Sequence, residues 1–186
     1  LGEKFIENSN VALILGDNFF YGQSLSRLLR NSAKLKQGAK IVLHSVKNPE
    51  LFGVAKINEK NKKILRIIEK PKKFISNFAI TGLYFFDKRV VNFAKKLKPS
   101  KRGELEIVDL INKYKKNNRL SADLIGRGGA WLDSGSIEDF YKTSSFVSAI
   151  ENRQGFKIAC LEEIAHNNKW IGKKEIKNAI QFYGNC

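Results

Sequence analysis

Apolar residues first gather at residues 11–15 (VALIL), a continuous run that stops at Gly16-Asp17-Asn18. A run of that length bounded by a turn signal predicts a buried strand of the parallel-sheet kind, ending in a loop. Beyond Tyr21-Gly22, Leu25, Leu28, Leu29 and Leu35 recur at helical spacing among Arg and Lys, and Gly38 stands where a C-cap would close the helix. Residues 40–46 (KIVLHSV) predict another buried strand. Residues 53–57 and 64–69 flank the polar turn NEKNKK, so they predict a hairpin whose second arm Pro71 ends. Residues 80–86 (ITGLYFF) are strand-like, and Asp87 is placed to cap a helix carrying Val90, Val91, Phe93, Ala94 and Leu97. Pro99-Ser100 breaks that helix. Residues 104–116 then set Leu105, Ile107, Val108, Leu110, Ile111 and Tyr114 on one face of an amphipathic helix, and residues 120–125 return to strand character.

This alternation predicts an α/β fold, in which ligands gather where strands end. Ala130-Trp131-Leu132 is a short apolar step that delivers Asp133, and Ser136 with Asp139 forms the pattern of a capping box for the next helix. That helix carries Ile137, Phe140, Tyr141, Ser144, Val147 and Ile150. From about residue 151 the pattern changes to short helical pieces, CLEEIA and KEIKNAIQFY, separated by HNNKWIGK. The expected organisation is therefore a main domain over 1–150 and a small C-terminal helical appendage over 151–186.

Composition narrows the picture. A chain of 186 residues, 42% hydrophobic, can bury one sizeable core. It holds no apolar run of bilayer length and opens with no leader pattern, so the expectation is a cytoplasmic protein with no membrane partner. Cys160 and Cys186 lie apart from one another and from any His cluster, which predicts free thiols. The net charge of +16 would suit a nucleic-acid partner, but its lysines are scattered through nearly every segment and no arginine-rich arm or aromatic strand motif accompanies them. A lysine-rich solvated surface without nucleic acid is the expectation. Leu1, in place of Met, leads almost directly into the first apolar run, which suggests that something precedes it.

Asp17 and Asp133 are the candidate metal ligands. Each follows an apolar strand-like step, so both could project from a sheet toward one crevice. Mg2+ takes oxygen ligands from one or two carboxylates and completes its shell with substrate phosphates. Local chemistry also allows a second reading, in which both aspartates merely cap turns. Glu69-Lys70-Pro71 offers a carboxylate for sugar hydroxyls beside a lysine for a phosphate, or else an exposed ion-pair turn. Arg102-Gly103-Glu104 is weak alone, and neither His44 nor His166 has a partner that would give it a catalytic role.

The segments LGDNFFYG, FGV at 52–54, EKP at 69–71, SNFAITGLYFFD, KPSKRGELEIVD, RGGAWLDSG and IENRQGFKIACLEEIA follow in one order over nearly the whole chain. Together they resemble the glucose-1-phosphate thymidylyltransferase family. The resemblance implies a Rossmann-like three-layer nucleotidyltransferase fold with a mixed, mostly parallel sheet. It implies Mg2+-dependent transfer of a thymidylyl group from dTTP to glucose 1-phosphate, giving dTDP-glucose for deoxysugar and O-antigen precursors. Asp17 and Asp133 match the metal ligands, and Gly53, Glu69 and Ile80 match the sugar pocket. Lys70 matches the lysine that holds the sugar phosphate, with Tyr84, Arg102 and Trp131 around the phosphate and the metal-bearing loop. A homotetramer is implied as well. The family's glycine-rich triphosphate loop and its nearby lysine have no counterpart here, so this polypeptide alone is expected to be inactive. Leu161 replaces the proline of the family's C-P-E-E-I-A, and Asn167 stands near an expected arginine, in the neighbourhood of Glu163 and Ile164 that the family uses for feedback. The alternatives are a UTP- or GTP-using relative and a non-catalytic basic module that binds polyanions.

Overall fold

The computed structural model describes residues 2–58, 60–101 and 103–184. Contacts divide the chain into two compact units, Leu1–Asp139 and Phe140–Cys186.

In the first unit, α1 (Glu3–Ile6) precedes β1 (Val11–Ile14), β2 (Asn18–Gly22), α2 (Leu25–Ala33) and β3 (Ala39–Ser45). A 3-10 turn at Pro49–Leu51 leads into the hairpin of β4 (Gly53–Ile57) and β5 (Ile64–Glu69), then β6 (Phe78–Phe86). There follow α3 (Val90–Ala94), α4 (Ile107–Lys116), β7 (Leu120–Leu124) and β8 (Gly129–Asp133). The hairpin arms fall where the alternation on either side of NEKNKK puts them. The main sheet runs β5-β4-β6-β3-β7, with β1 also paired to β6.

Successive side chains of a strand point to opposite faces, and β6 supplies both layers of the core in this way. Ile80, Tyr84 and Phe86 join Ile41, Leu43, Val108, Ile111 and Tyr114 on the face toward α3 and α4. Leu83 and Phe85 join Val42 on the other, against Phe20, Leu28, Leu35 and Ile125. The fold is thus α/β and three-layered.

The balance of strand directions differs from the expectation of a mostly parallel sheet. Among the described residues only β3 and β7 run parallel, while β6 runs antiparallel to β1, β3 and β4 and β4 is antiparallel to β5. The reason lies in the connections: β4, β5 and β6 follow one another through short turns, whereas a parallel pair needs a long crossover, here supplied between β3 and β7. Residues 11–15 also depart from the buried strand expected of VALIL. Among the described residues β1 pairs only with β6, and Leu13, Ile14 and Leu15 are 37%, 56% and 41% exposed. Residues 18–22, to which no element was assigned beyond the loop expected at Gly16-Asp17-Asn18, form a strand because β2 pairs with β8 in a separate two-stranded sheet.

At the far end of β6, the buried carboxylate of Asp87 accepts hydrogen bonds from the N–H of Gly38 (2.6 Å), the N–H of Arg89 (3.1 Å) and the hydroxyl of Tyr114 (3.0 Å), and it is ion-paired with the Arg89 guanidinium. Burial alone would raise the pKa of Asp87, but these donors outweigh it and hold the group below the ordinary carboxylate range. Gly38 has φ +97°, and a Cβ there would lie 2.4 Å from the carbonyl oxygen of Arg119, so the turn into β3 admits only glycine.

The second unit takes up most of α5 (Ile137–Gln154), followed by α6 (Leu161–Asn167) and α7 (Lys173–Tyr183). Glu151 ties the end of α5 to the following turn by accepting from the N–H of Ile158 (2.8 Å) and from Lys157 Nζ (3.0 Å). Cys160 is a free thiol, and Cys186 lies outside the described residues. Among the described residues no helix is long and apolar enough to cross a membrane.

Candidate active site

The turn after β1 carries Asp17, and β8 ends on Asp133. Pairing of β2 with β8 sets Asn18 opposite Asp133, which brings the two aspartates together. Ser134 locks the junction by donating its N–H (2.8 Å) and its hydroxyl (2.7 Å) to the carbonyl oxygen of Asp17. Asp133 Oδ1 and Asp17 Oδ2 lie 3.2 and 3.5 Å from a single point, the position that a Cβ would take on Gly135. The absence of a side chain at Gly135 leaves that point open.

Burial raises the pKa of Asp133, and the charges of Asp17 and Asp139 act in the same direction. The N–H of Gly135, 3.1 Å from Oδ1, and the charge of Lys70 pull it back. Two neighbouring carboxylates, that of Asp133 partly desolvated, are a donor set that suits a hard divalent cation. Among the described residues no group of three or more His, Cys, Asp or Glu side chains could hold a metal. A cation held by this pair would complete its shell with other oxygens, such as those of water or substrate phosphates.

A second cluster forms at the mouth of the β4–β5 hairpin, where Gly53 pairs with Glu69. A Cβ on Gly53 would lie 3.0 Å from Glu69 Oε2, 3.1 Å from Val108 Cγ2 and 3.6 Å from Ile80 Cδ1. The three residues matched to the sugar pocket thus surround one small space, and Val108, expected only as helix core, is its fourth wall. Tyr84 is buried beside them; burial, followed by the charge of Glu69, raises its pKa well beyond the usual phenol range. It would act there as a neutral hydroxyl.

Lys70 follows Glu69 directly in the chain. Its backbone lies in the left-handed region at φ +40°, with its N–H donating to the carbonyl oxygen of Phe52 (3.0 Å). A non-glycine residue held there is strained, and such strain gathers at functional sites. From the hairpin end its charge reaches Asp133. Glu69 and Lys70 also line a cleft of about 710 Å³ with Ser100, Lys101, Glu106 and Asp109. Trp131, 8% exposed, packs edge-on to Phe52 at 5.0 Å and to His44 at 6.3 Å. Arg102 lies outside the described residues.

Sequence reasoning passed over Asn18, Gly82 and Gly135. Asn18 Oδ1 accepts from the N–H of Gly82 (2.8 Å) and from Trp131 Nε1 (2.6 Å), while its Nδ2 donates to Asp17 Oδ1 (2.8 Å). Each of these residues stood inside a motif already singled out, so the signal was present without a partner to interpret it.

Known proteins resemble this arrangement and its sequence. The family described as nucleotidyl transferase matches residues 1–150. A glucose-1-phosphate thymidylyltransferase of Neisseria meningitidis is 50% identical over 177 residues, covering 95% of this chain and 61% of the relative. One from Xanthomonas campestris is 40% identical over 95% of this chain and 60% of its own length. The chain thus spans about three-fifths of the curated relatives it matches. A Bacillus anthracis protein named as a glucose-1-phosphate thymidylyltransferase and crystallised with sucrose superposes with a TM-score of 0.69 at 40% identity, covering 78% of this chain and 57% of that one. A UDP-glucose pyrophosphorylase bound to UDP-glucose shares the fold, with a TM-score of 0.65 at 23% identity over 78% of this chain and 58% of that one.

Proposed function

The chain belongs to the nucleotidyl transferase family, and from that premise we propose that the protein it represents transfers a thymidylyl group from dTTP to α-D-glucose 1-phosphate, giving dTDP-glucose and pyrophosphate. The observation that carries this reading is the paired carboxylates of Asp17 and Asp133, on which the charge of Lys70 acts, Lys70 directly following the Glu69 that lines the small pocket with Gly53 and Ile80. The thymidylyl specificity rests on the relatives' names together with the density of matched motifs.

In this reading a phosphate oxygen of glucose 1-phosphate forms a bond to the α-phosphorus of dTTP as the bond to the β-phosphate's bridging oxygen breaks and pyrophosphate leaves. Positioning and neutralisation of phosphate charge carry most of such a reaction. Glu69 would accept hydrogen bonds from sugar hydroxyls, and the bare Cα of Gly53 with the aliphatic walls of Ile80 and Val108 would fit the ring face. Lys70 would hold the sugar phosphate as a point charge, its strained backbone fixing where the side chain starts. Asp17 and Asp133 would hold Mg2+, which would neutralise phosphate charge when bound. Arg102 is proposed to act near the phosphates on the motif match alone.

The test is release of pyrophosphate from dTTP and glucose 1-phosphate, with the chain alone and with the family's glycine-rich loop supplied ahead of Leu1. Turnover is expected only in the second case. Preference for UTP or GTP, or for mannose 1-phosphate, would reassign the substrate. Absence of turnover in every combination, with no binding of glucose 1-phosphate, would overturn the reading.

A further inference from the structure

The carboxylate of Asp17 stands on an otherwise exposed turn, yet one of its oxygens is tied to a network that reaches into the main sheet. Asn18 makes the connection. Its Oδ1 receives two N–H donors, from Gly82 on β6 at 2.8 Å and from Trp131 on β8 at 2.6 Å. A side-chain amide has one acceptor end and one donor end, so these two bonds leave only Nδ2 to face Asp17 Oδ1, at 2.8 Å. The amide cannot turn over without losing all three bonds. Gly82 makes room for it: a Cβ there would lie 2.6 Å from Asn18 Cγ and Oδ1.

We propose that Asn18 is the positioning residue of the carboxylate pair, clamped between Gly82 and Trp131 so that its amide holds Asp17 Oδ1 and leaves Oδ2 turned toward Asp133. This inference rests on the reading of Asp17 and Asp133 as cation ligands. It adds what sets their mutual geometry. Phe52 extends the clamp, since it packs on Trp131 at 5.0 Å while its carbonyl oxygen accepts the N–H of Lys70 at 3.0 Å. Through these contacts the turn that carries Asp17 and the backbone that starts Lys70 are referred to the same indole ring.

The experiment titrates Mn2+ alone into the chain and follows the fraction bound by electron paramagnetic resonance. It compares the wild type with Asn18→Ala, Gly82→Ala, Asp17→Asn and the double variant Asn18→Ala with Asp17→Asn. Asn18→Ala and Gly82→Ala are each expected to lower Mn2+ affinity by about tenfold, the scale on which losing a ligand's hydrogen-bonding partner acts. In the Asp17→Asn background, Asn18→Ala is expected to cost nothing further, because Asn18 acts through Asp17. A general loosening of the fold would instead weaken binding in both backgrounds. Unchanged affinity in Asn18→Ala, or an equal loss in both backgrounds, overturns the proposal while leaving the metal reading in place. A second arm needs no metal: in Asp17→Ala the Asn18 side-chain amide proton resonance should move upfield, and an unmoved resonance overturns the proposal. A wild-type chain that binds no Mn2+ but shows the amide shift supports the clamp and overturns the metal reading.

Discussion

Asn18 and Asp133 face one another across the β2–β8 ladder, and this register is what places the Asp17 carboxylate beside that of Asp133. A slip of one residue would send the side chains of the slipped strand to the opposite face of the two-stranded sheet. The open point between the carboxylates lies against Gly135, where a methyl group would stand 3.2 Å from Asp133 Oδ1 and 3.5 Å from Asp17 Oδ2. Gly135→Ala is therefore expected to leave the fold intact and to weaken Mn2+ binding by about tenfold, a typical cost of disturbing the surroundings of metal ligands. Equilibrium Mn2+ titration with a parallel thermal melt checks it. Wild-type affinity in the variant would place the cation elsewhere.

Lys70 combines a charge that acts on Asp133 with a backbone at φ +40°. Lys70→Ala removes the charge and keeps the strain, whereas Lys70→Gly removes both. A charge-assisted hydrogen bond contributes about 1.5–3 kcal/mol. Both variants should thus lose roughly 10- to 100-fold in affinity for glucose 1-phosphate, while Lys70→Gly should be the more stable of the two by about 1 kcal/mol. Calorimetric titration and urea denaturation separate the two effects. Equal binding by wild type and Lys70→Ala would remove the lysine from the phosphate site.

At Gly53 the question is space. A Cβ would stand 3.0 Å from Glu69 Oε2 and 3.1 Å from Val108 Cγ2, so Gly53→Ala would fill the pocket and push on the carboxylate that faces it. The expected result is lost binding of glucose 1-phosphate with Mn2+ affinity preserved, since the atoms nearest that Cβ belong to Glu69, Val108 and Ile80 and to neither aspartate. Loss of both would mean that the two clusters share more structure than the hairpin end.

The hairpin, the helices and the strand 80–86 were legible because each carries its own period and its own punctuation. What escaped was pairing between segments distant in sequence. NFFYG at 18–22 follows the turn signal Gly16-Asp17-Asn18 and suggests no element when taken alone, and only its partner at 129–133 makes it a strand. The same pairing creates the carboxylate site, so local chemistry could not choose between metal ligands and turn caps for Asp17 and Asp133. VALIL reads as buried because composition records hydrophobicity without recording neighbours; with β6 as its one partner among the described residues, β1 leaves Ile14 56% exposed. Asn18 was hidden for a related reason. Its three hydrogen bonds go to Asp17, Gly82 and Trp131, two of which are remote in the chain.

Asp87 gives a prediction about stability that is independent of the site. Although 2% exposed, it stays below the ordinary carboxylate range because Arg89, Gly38 and Tyr114 all donate to it. A carboxylate whose folded pKa is depressed contributes stability that is fully present above its unfolded value, about 4, and is lost as pH falls through the lower folded value. Acidification below about pH 4 should therefore erode wild-type stability in part through this group. Asp87→Asn would set an amide N–H against its present donors, costing about 2–3 kcal/mol near neutral pH. Because it no longer titrates, its deficit relative to wild type should shrink as the pH falls. Tyr114→Phe removes one donor and should cost about 1–2 kcal/mol at neutral pH. It would also let the Asp87 pKa rise toward the ordinary range, so its deficit too should narrow in acid. Urea unfolding followed by tryptophan fluorescence from pH 6 down to the acid limit measures each difference. A deficit that is constant with pH in both variants would show that the Asp87 cluster is held by packing and not by its charge.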